Sequence, residues 1–257
     1  MSPSTGKSAE LADFAVWSIR ASGSQHAEEL KFNQGLNVLL GFLFAANGIV
    51  FLLLSPPVTS HTFVFGFNEQ SEMISRGHWD IKLNVFAGIV VMIKSSLHFL
   101  YGSVFCLSLC NMLERGYNLF RWVEYSLTYA MFLTYEGYVA GLRDVTALFA
   151  VGGLGFAAVM MCLSIETNRN YHLLLPLAAV YVLVVFLLLL PFCFDPEGTW
   201  ITGVYLAGLL LLQAGHGLFL YKSFSLPAPS ATRLDIGHSI LSFVNTVLLL
   251  WLPHTVY

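Results

Sequence analysis

Charge is what this chain has least of. Only 11% of its 257 residues are Asp, Glu, Lys or Arg, against 56% hydrophobic, and the mean hydropathy is +0.71. A soluble domain, which carries charge at about a quarter of its residues, is excluded. With a net charge of −3 and no block of Lys and Arg, nothing in the chain can track a phosphate backbone, so nucleic acid is not an expected partner. Cysteine is scarce as well: Cys106, Cys110, Cys162 and Cys193 sit in or beside apolar runs as small hydrophobes, and they imply neither a disulfide framework nor a metal site. Gly-x-Ser-x-Gly, His-Glu-x-x-His, a phosphate loop and Cys-x-x-Cys are all missing, so neither an enzyme nor a bound metal is expected. The first thirty residues contain acids and lack a continuous apolar core, which reads as an uncleaved segment. Within it, ELADFAVWSIR forms either a short amphipathic surface helix or part of a weakly ordered tail.

What the chain does have is long apolar runs. A helix needs roughly 20 mainly apolar residues to cross a bilayer, and seven runs qualify, near 36–55, 84–106, 119–140, 144–165, 172–193, 200–221 and 234–253. The expected fold is therefore an all-α membrane protein, a seven-transmembrane-helix bundle over 36–257 behind an N-terminal tail, 1–35, on the cytoplasmic side. Positive charge sets the orientation. An inner N-terminus places Lys7, Arg20, Lys31, Arg115, Arg121, Arg169, Lys222 and Arg233 inside and only Arg76, Lys82 and Arg143 outside, eight against three, with the C-terminus outside. The longest connection, 56–83, then lies outside, and HTFVFGF within it alternates around a glycine with strand-forming residues, which predicts a small β-ribbon.

Lys94 breaks the second run about ten residues from either end, too deep to reach water along the lipid. A charge at that depth costs roughly 2.5–3.5 kcal/mol and calls for a partner inside the bundle. Lys94 and His98 are four residues apart and share one helix face, and Glu124 in RWVEYSLTYAMF is the acid available to them from the third run. Counted along the helices, Glu124 lies several ångströms off the level of Lys94 and closer to that of His98, so a direct contact, a water bridge and a contact through His98 all stay open. The competing reading is a structural ion pair that fixes helix packing. Asn47, Gln213, His216 and His238 read as packing or interfacial residues, and Arg143-Asp144 as a helix-end device.

These residues resemble a known family, the heliorhodopsins, seven-helix retinal proteins with this reversed orientation. RWVEYS at 121–126 is similar to their third-helix signature, whose glutamate is the counterion of the protonated retinal Schiff base, here Glu124. GLRDVTALFAVGGLGFAAVMM at 141–161 resembles the stretch entering their fourth helix, His98 matches a second-helix histidine of their inner polar cavity, and the long first loop matches one that carries a β-ribbon. The seventh helix departs from the pattern. The family has close to Ser-Leu/Phe-Val-Ala-Lys-Ser-Leu-Leu-Ala-Trp where this chain has SFVNTVLLLW at 242–251, so Ser242 and Trp251 align and Thr246 falls where the retinal lysine belongs. Phe44 occupies the place of a family histidine, and Lys94 that of a small polar residue near the Schiff base.

Lys94, His98 and Glu124, with Ser242, Asn245 and Thr246 from the last helix, are thus the candidate polar cluster. The favoured function is a non-enzymatic ligand-binding or interaction module with a degenerate retinal site, in which Lys94 replaces the positive charge that Glu124 once faced. No cofactor is then expected; its partners are the lipid bilayer, an apolar small molecule, or a membrane protein. The alternative keeps retinal, attached to Lys94 with Glu124 as counterion, and a third is proton or ion conduction along the cluster. The resemblance also implies a homodimer.

Overall fold

The computed structural model describes residues 5–57, 59–70, 72–194, 208, 211, 214–219, 221–222 and 229–251. Most of the sixth apolar run, Gln213 within it, and the last residues of the chain lie outside these. In chain order the elements are α1 (Thr5–Leu54), β1 (Thr59–Phe67), β2 (Met73–Lys82), α2 (Leu83–Gly102), α3 (Cys106–Glu114), α4 (Leu119–Val139), α5 (Val145–Asn168), a 3₁₀ turn (Tyr171–Leu173), α6 (Leu174–Phe194) and α7 (Pro229–Trp251), with helical residues also at 208, 211, 214–219 and 221–222. Among the described residues four helical stretches, Ala27–Leu54, Leu83–Gly102, Val145–Asn168 and Thr232–Trp251, are long and apolar enough to cross a bilayer, and the protein is an integral membrane protein in a lipid environment. α4 is a less apolar helix because it carries Arg121, Glu124 and Glu136, each of them buried. α1 continues without interruption from Thr5, through the segment in which the sequence suggests a short helix or a loose tail.

Helix α2 shows why these sequences choose their faces. Its buried residues Ala87, Val90, Val91, Lys94, Ser95, His98 and Tyr101 recur at three- and four-residue spacing, the single stripe that a helix turns toward its neighbours. On α4 the corresponding stripe is Arg121, Glu124, Tyr125, Thr128, Phe132 and Tyr135. Capping starts two helices cleanly: the Asn118 side chain accepts from the Arg121 N–H at 3.1 Å, and that of Asp144 from the Ala147 N–H at 2.8 Å. Asp144 is thus the helix-end device expected from the sequence. Between α4 and α5 the chain reverses through Gly141 at φ +90°, a conformation that disfavours a side chain.

Helices α1 and α2 approach so closely at Gly102 that an added Cβ would meet the Val38 backbone nitrogen at 2.9 Å and the Gln34 carbonyl oxygen at 3.0 Å. The same pair is stitched by Ser95 Oγ donating to the Gly41 carbonyl at 2.8 Å and by Gln34 Nε2 donating to the Gly102 carbonyl at 3.1 Å. Small residues with side chain to backbone hydrogen bonds are how membrane helices associate where no hydrophobic effect drives them together.

The expected β-ribbon is present. β1 and β2 pair antiparallel from Thr59↔Lys82 to Phe67↔Met73, with an irregularity between Val64 and Phe65. Thr62 is buried and shares a 2.7 Å hydrogen bond with the Tyr138 hydroxyl, while the Phe63 N–H donates to the Arg143 carbonyl at 2.8 Å. The ribbon is therefore pinned to the end of the bundle where α4 passes into α5.

Interior chemistry is split along the bundle axis. Toward the ribbon, Phe44 and Phe51 of α1, Val90 and Val91 of α2, Phe132 and Tyr135 of α4, and Leu249 and Leu250 of α7 pack as one apolar core. Toward the opposite end, Asn33, Asn37, Asn118, Arg121, Glu166 and Asp235 are all buried. The candidate cluster lies where these two halves meet.

Candidate functional site

Lys94 projects from the middle of α2, and its Nζ lies 2.9 Å from Glu124 Oε1, with both side chains about 95% or more buried. The contact is direct. A lysine side chain is long enough to span the offset that residue counting places between the two levels, so neither a water bridge nor a relay through His98 is required. The ammonium also stands over two aromatic faces, 5.4 Å from the Phe44 ring centroid and 5.1 Å from that of Tyr125, an arrangement in which the ring quadrupoles favour the cation. Phe44 stacks on His98 with centroids 5.1 Å apart.

His98 shares Glu124 with Lys94: its Nε2 lies 3.4 Å from Oε2. Its other ring nitrogen, Nδ1, is 2.8 Å from Asn37 Oδ1 and donates to it. From there the hydrogen bonds continue in one direction. Asn37 Nδ2 donates to the Asn33 backbone carbonyl at 2.9 Å and to its Oδ1 at 3.3 Å, and Asn33 Nδ2 donates to Asp235 Oδ2 at 2.9 Å. Asp235 in turn accepts from Arg121 Nη1 at 2.5 Å and from Asn118 Nδ2 at 2.8 Å. Arg121 Nη2 binds Glu166 Oε1, whose other oxygen accepts from Trp122 Nε1 at 2.5 Å and from the Asn118 N–H at 3.1 Å. A continuous polar chain thus runs from the centre of the bundle to the end opposite the ribbon, linking α1, α2, α4, α5 and α7.

Most of this chain escapes a reading of the sequence. Arg121 counts there only as a positive charge for orientation, and Glu166 and Asp235 sit close to helix ends, where acids are ordinarily hydrated. The available signal was Asn33 and Asn37, amides at four-residue spacing around the start of the first apolar run, which therefore share a helix face.

The last helix brings Ser242, Asn245 and Thr246 to the wall of a small cavity that Lys94, Trp122, Tyr125 and His216 also line. Its volume is about 50 Å³. Thr246 Oγ1 donates back to the Ser242 carbonyl at 2.8 Å, a bond within its own helix, and Asn245 Oδ1 is buried without a hydrogen-bond partner among the described residues. Of the six residues the sequence singles out, Lys94 and His98 each contact Glu124, while Ser242, Asn245 and Thr246 share the cavity with Lys94. Of the residues read as packing or interfacial, Asn47, His216 and His238 are described, and His216 is the one that lines this cavity. Asn47 Oδ1 accepts from Trp251 Nε1 at 2.8 Å, and His216 and His238 face each other through Nδ1 atoms 3.0 Å apart with their rings stacked. Cys106, Cys110 and Cys162 are free thiols.

Glu136 is the second acid inside α4. It is 1% exposed, and both carboxyl oxygens lack a hydrogen-bond partner among the described residues, so it does not extend the polar chain toward the ribbon.

A likeness to solved structures extends over almost the whole chain. A xanthorhodopsin, described as a light-driven ion pump with dual chromophore, is 14% identical with a TM-score of 0.58, covering 90% of this chain and 94% of its own. A thermophilic rhodopsin is 13% identical with a TM-score of 0.46, over 90% and 94%. At such identity the first of these establishes the fold alone, the microbial-rhodopsin bundle. No curated protein matches the chain. The heliorhodopsin family model matches residues 34–185, more than half of the sequence, from α1 into α6, and the chain belongs to the heliorhodopsin family.

Proposed function

We propose that this member of a retinal-binding family has lost conventional retinal attachment and acts in the bilayer, without enzymatic activity, as a ligand-binding or interaction module, its N-terminus on the inner side. The observation that carries this reading is the 2.9 Å contact between Lys94 Nζ and Glu124 Oε1. A buried carboxylate stripped of its cationic partner costs about 3–5 kcal/mol, and Lys94 supplies that partner from the protein itself. Two further observations support it. The seventh helix offers Thr246 in place of a lysine, with its hydroxyl turned back onto the Ser242 carbonyl. The cavity beside it, about 50 Å³, has room for a few waters, whereas pockets that enclose a small-molecule ligand hold about 300–1,000 Å³. So small a space supports the reading without bound retinal.

The second reading, retinal on Lys94, draws on one observation: Lys94 is itself part of the cavity wall, beside its carboxylate. Addition of all-trans-retinal to the purified protein separates the two. The proposed reading requires that no red-shifted visible band develops. A band that forms in the native chain and is lost in Lys94→Ala overturns it in favour of the second.

For an apolar ligand the supporting feature is a groove of about 450 Å³ between α4, α5 and the ribbon, bordered by Met131, Tyr138, Phe149, Phe156 and Trp79. Its lining is almost entirely apolar, it opens to the side of the bundle, and its size suits one elongated hydrocarbon molecule such as a lipid chain.

A further inference from the structure

Two imidazoles converge on one carboxylate oxygen on the β-ribbon, away from the interior site. In the β1–β2 register His61 stands opposite Asp80 and Phe63 opposite His78. Because side chains alternate along a strand, His61, Asp80 and His78 share one face. Thr62, the residue between His61 and Phe63, points the other way and is buried against Tyr138, so the face bearing the two histidines is turned away from the bundle. His61 Nδ1 lies 2.6 Å from Asp80 Oδ1, and His78 Nε2 lies 3.9 Å from the same oxygen. The two rings meet edge to face with centroids 5.7 Å apart, and the three donor atoms all lie within 4.8 Å of one another.

We propose that His61, His78 and Asp80 form a binding site for one divalent transition-metal ion of the zinc or copper class. Bonds of about 2.0–2.2 Å from a metal to imidazole nitrogen and carboxylate oxygen place neighbouring donor atoms about 3.0–3.5 Å apart in tetrahedral or octahedral geometry. The observed spacings bracket that range, and modest side-chain rotation brings them into it. All three side chains are more than half exposed, so rotation meets little resistance. The strands that carry them are held in register and anchored at Thr62 and Phe63, so the donors start close together. Two nitrogens and one oxygen are borderline donors; they suit Zn²⁺, Cu²⁺ or Ni²⁺ and are a poor match for Ca²⁺ or Mg²⁺, which take oxygen ligands throughout. Water completes the coordination on the open side. As a bare cross-strand contact the exposed His61–Asp80 pair adds little to stability. Lys82, two residues further along the same face, opposes cation binding and limits its strength. The site is invisible as a motif because its three donors come together only through the register of two strands.

Isothermal titration of the full-length protein, prepared without a polyhistidine tag in detergent micelles, tests this with Zn²⁺ as the probe. The expected result is one equivalent bound, weakened about tenfold or more in His61→Ala and in His78→Ala, and unchanged in His172→Ala, an exposed histidine elsewhere. Copper added to the unsubstituted protein supplies a readout that needs no variant, an electron paramagnetic resonance signal with coupling from two imidazole nitrogens. Absence of saturable uptake at a stoichiometric excess of Zn²⁺, binding in either single variant as strong as in the unsubstituted protein, or a copper signal lacking two nitrogens overturns the proposal.

Discussion

Arg121 and Glu124 stand one helical turn apart on α4, yet each draws its counter-charge from different helices. Arg121 is held by Glu166 of α5 and Asp235 of α7, whereas Glu124 is held by Lys94 and His98 of α2. One turn of α4 thereby ties three other helices to it. Removing one member of a buried ion pair costs about 3–5 kcal/mol, and Arg121→Met strands two carboxylates at once, so its loss falls at or above the top of that range. Arg121→Lys recovers little of it, because two separate guanidinium nitrogens reach the two acids and a single ammonium cannot reproduce that fork. Thermal unfolding in detergent micelles, followed by tryptophan fluorescence, checks both substitutions.

Adjacent glycines on α5 are expected to respond in opposite ways. A Cβ on Gly152 would meet Thr134 Oγ1 at 2.6 Å and the Ala130 carbonyl oxygen at 3.2 Å, whereas one on Gly153 meets nothing within 4 Å. Gly152→Ala therefore forces α4 and α5 apart and lowers the melting temperature, by about 1–3 kcal/mol of overpacking. Gly153→Ala raises it slightly, since alanine is favoured over glycine in a helix by about 1 kcal/mol.

Gly153 also borders the lateral groove, which permits a test of its occupancy. Gly153→Phe fills the groove with apolar side chain at a position that has space for it. If the groove holds a lipid, native mass spectrometry of the unsubstituted protein shows a co-purifying apolar molecule, and that adduct disappears in Gly153→Phe while the melting temperature stays within a few degrees.

Proton or ion conduction is not expected. Among the described residues the polar chain from Lys94 to Arg121 serves only the half of the bundle opposite the ribbon, and the other half is filled by Phe44, Phe51, Phe132, Leu249 and Leu250. Glu136, the acid in that half, has no hydrogen-bond partner through which a proton would pass among the described residues. Proteoliposomes under a pH gradient should show no proton flux above the lipid background, and Glu124→Gln should leave that background unchanged.

What the sequence disclosed follows from the cost of burying charge. Lys94 in an apolar run demands an anion, His98 four residues on shares its face, and Glu124 answers both, so the grouping is legible from spacing and energetics, while the direct 2.9 Å contact is visible only in the structure. The ribbon was equally legible, because HTFVFGF has the alternation of a strand and a partner segment follows it closely. Asp235 and Glu166 were not, since an acid near a helix end is ordinarily hydrated, and only the packing of α5 and α7 against Arg121 turns these two inward. The grouping of His61, His78 and Asp80 likewise depends on strand register, which composition does not encode. Neither does the sequence disclose how little space remains beside Thr246; that follows from how Trp122, Tyr125 and Phe132 fill the interior.

The claim on which the rest depends is that Lys94 and Glu124 neutralise each other deep in the bundle, and a double-mutant cycle on thermal stability measures that most directly. Lys94→Met and Glu124→Gln should each destabilise the protein, with His98 moderating the loss when Lys94 is absent. The double variant should recover much of the damage, giving a coupling of about 1–3 kcal/mol. Losses that add to within about 0.5 kcal/mol would contradict the account and leave Lys94 without the role assigned to it.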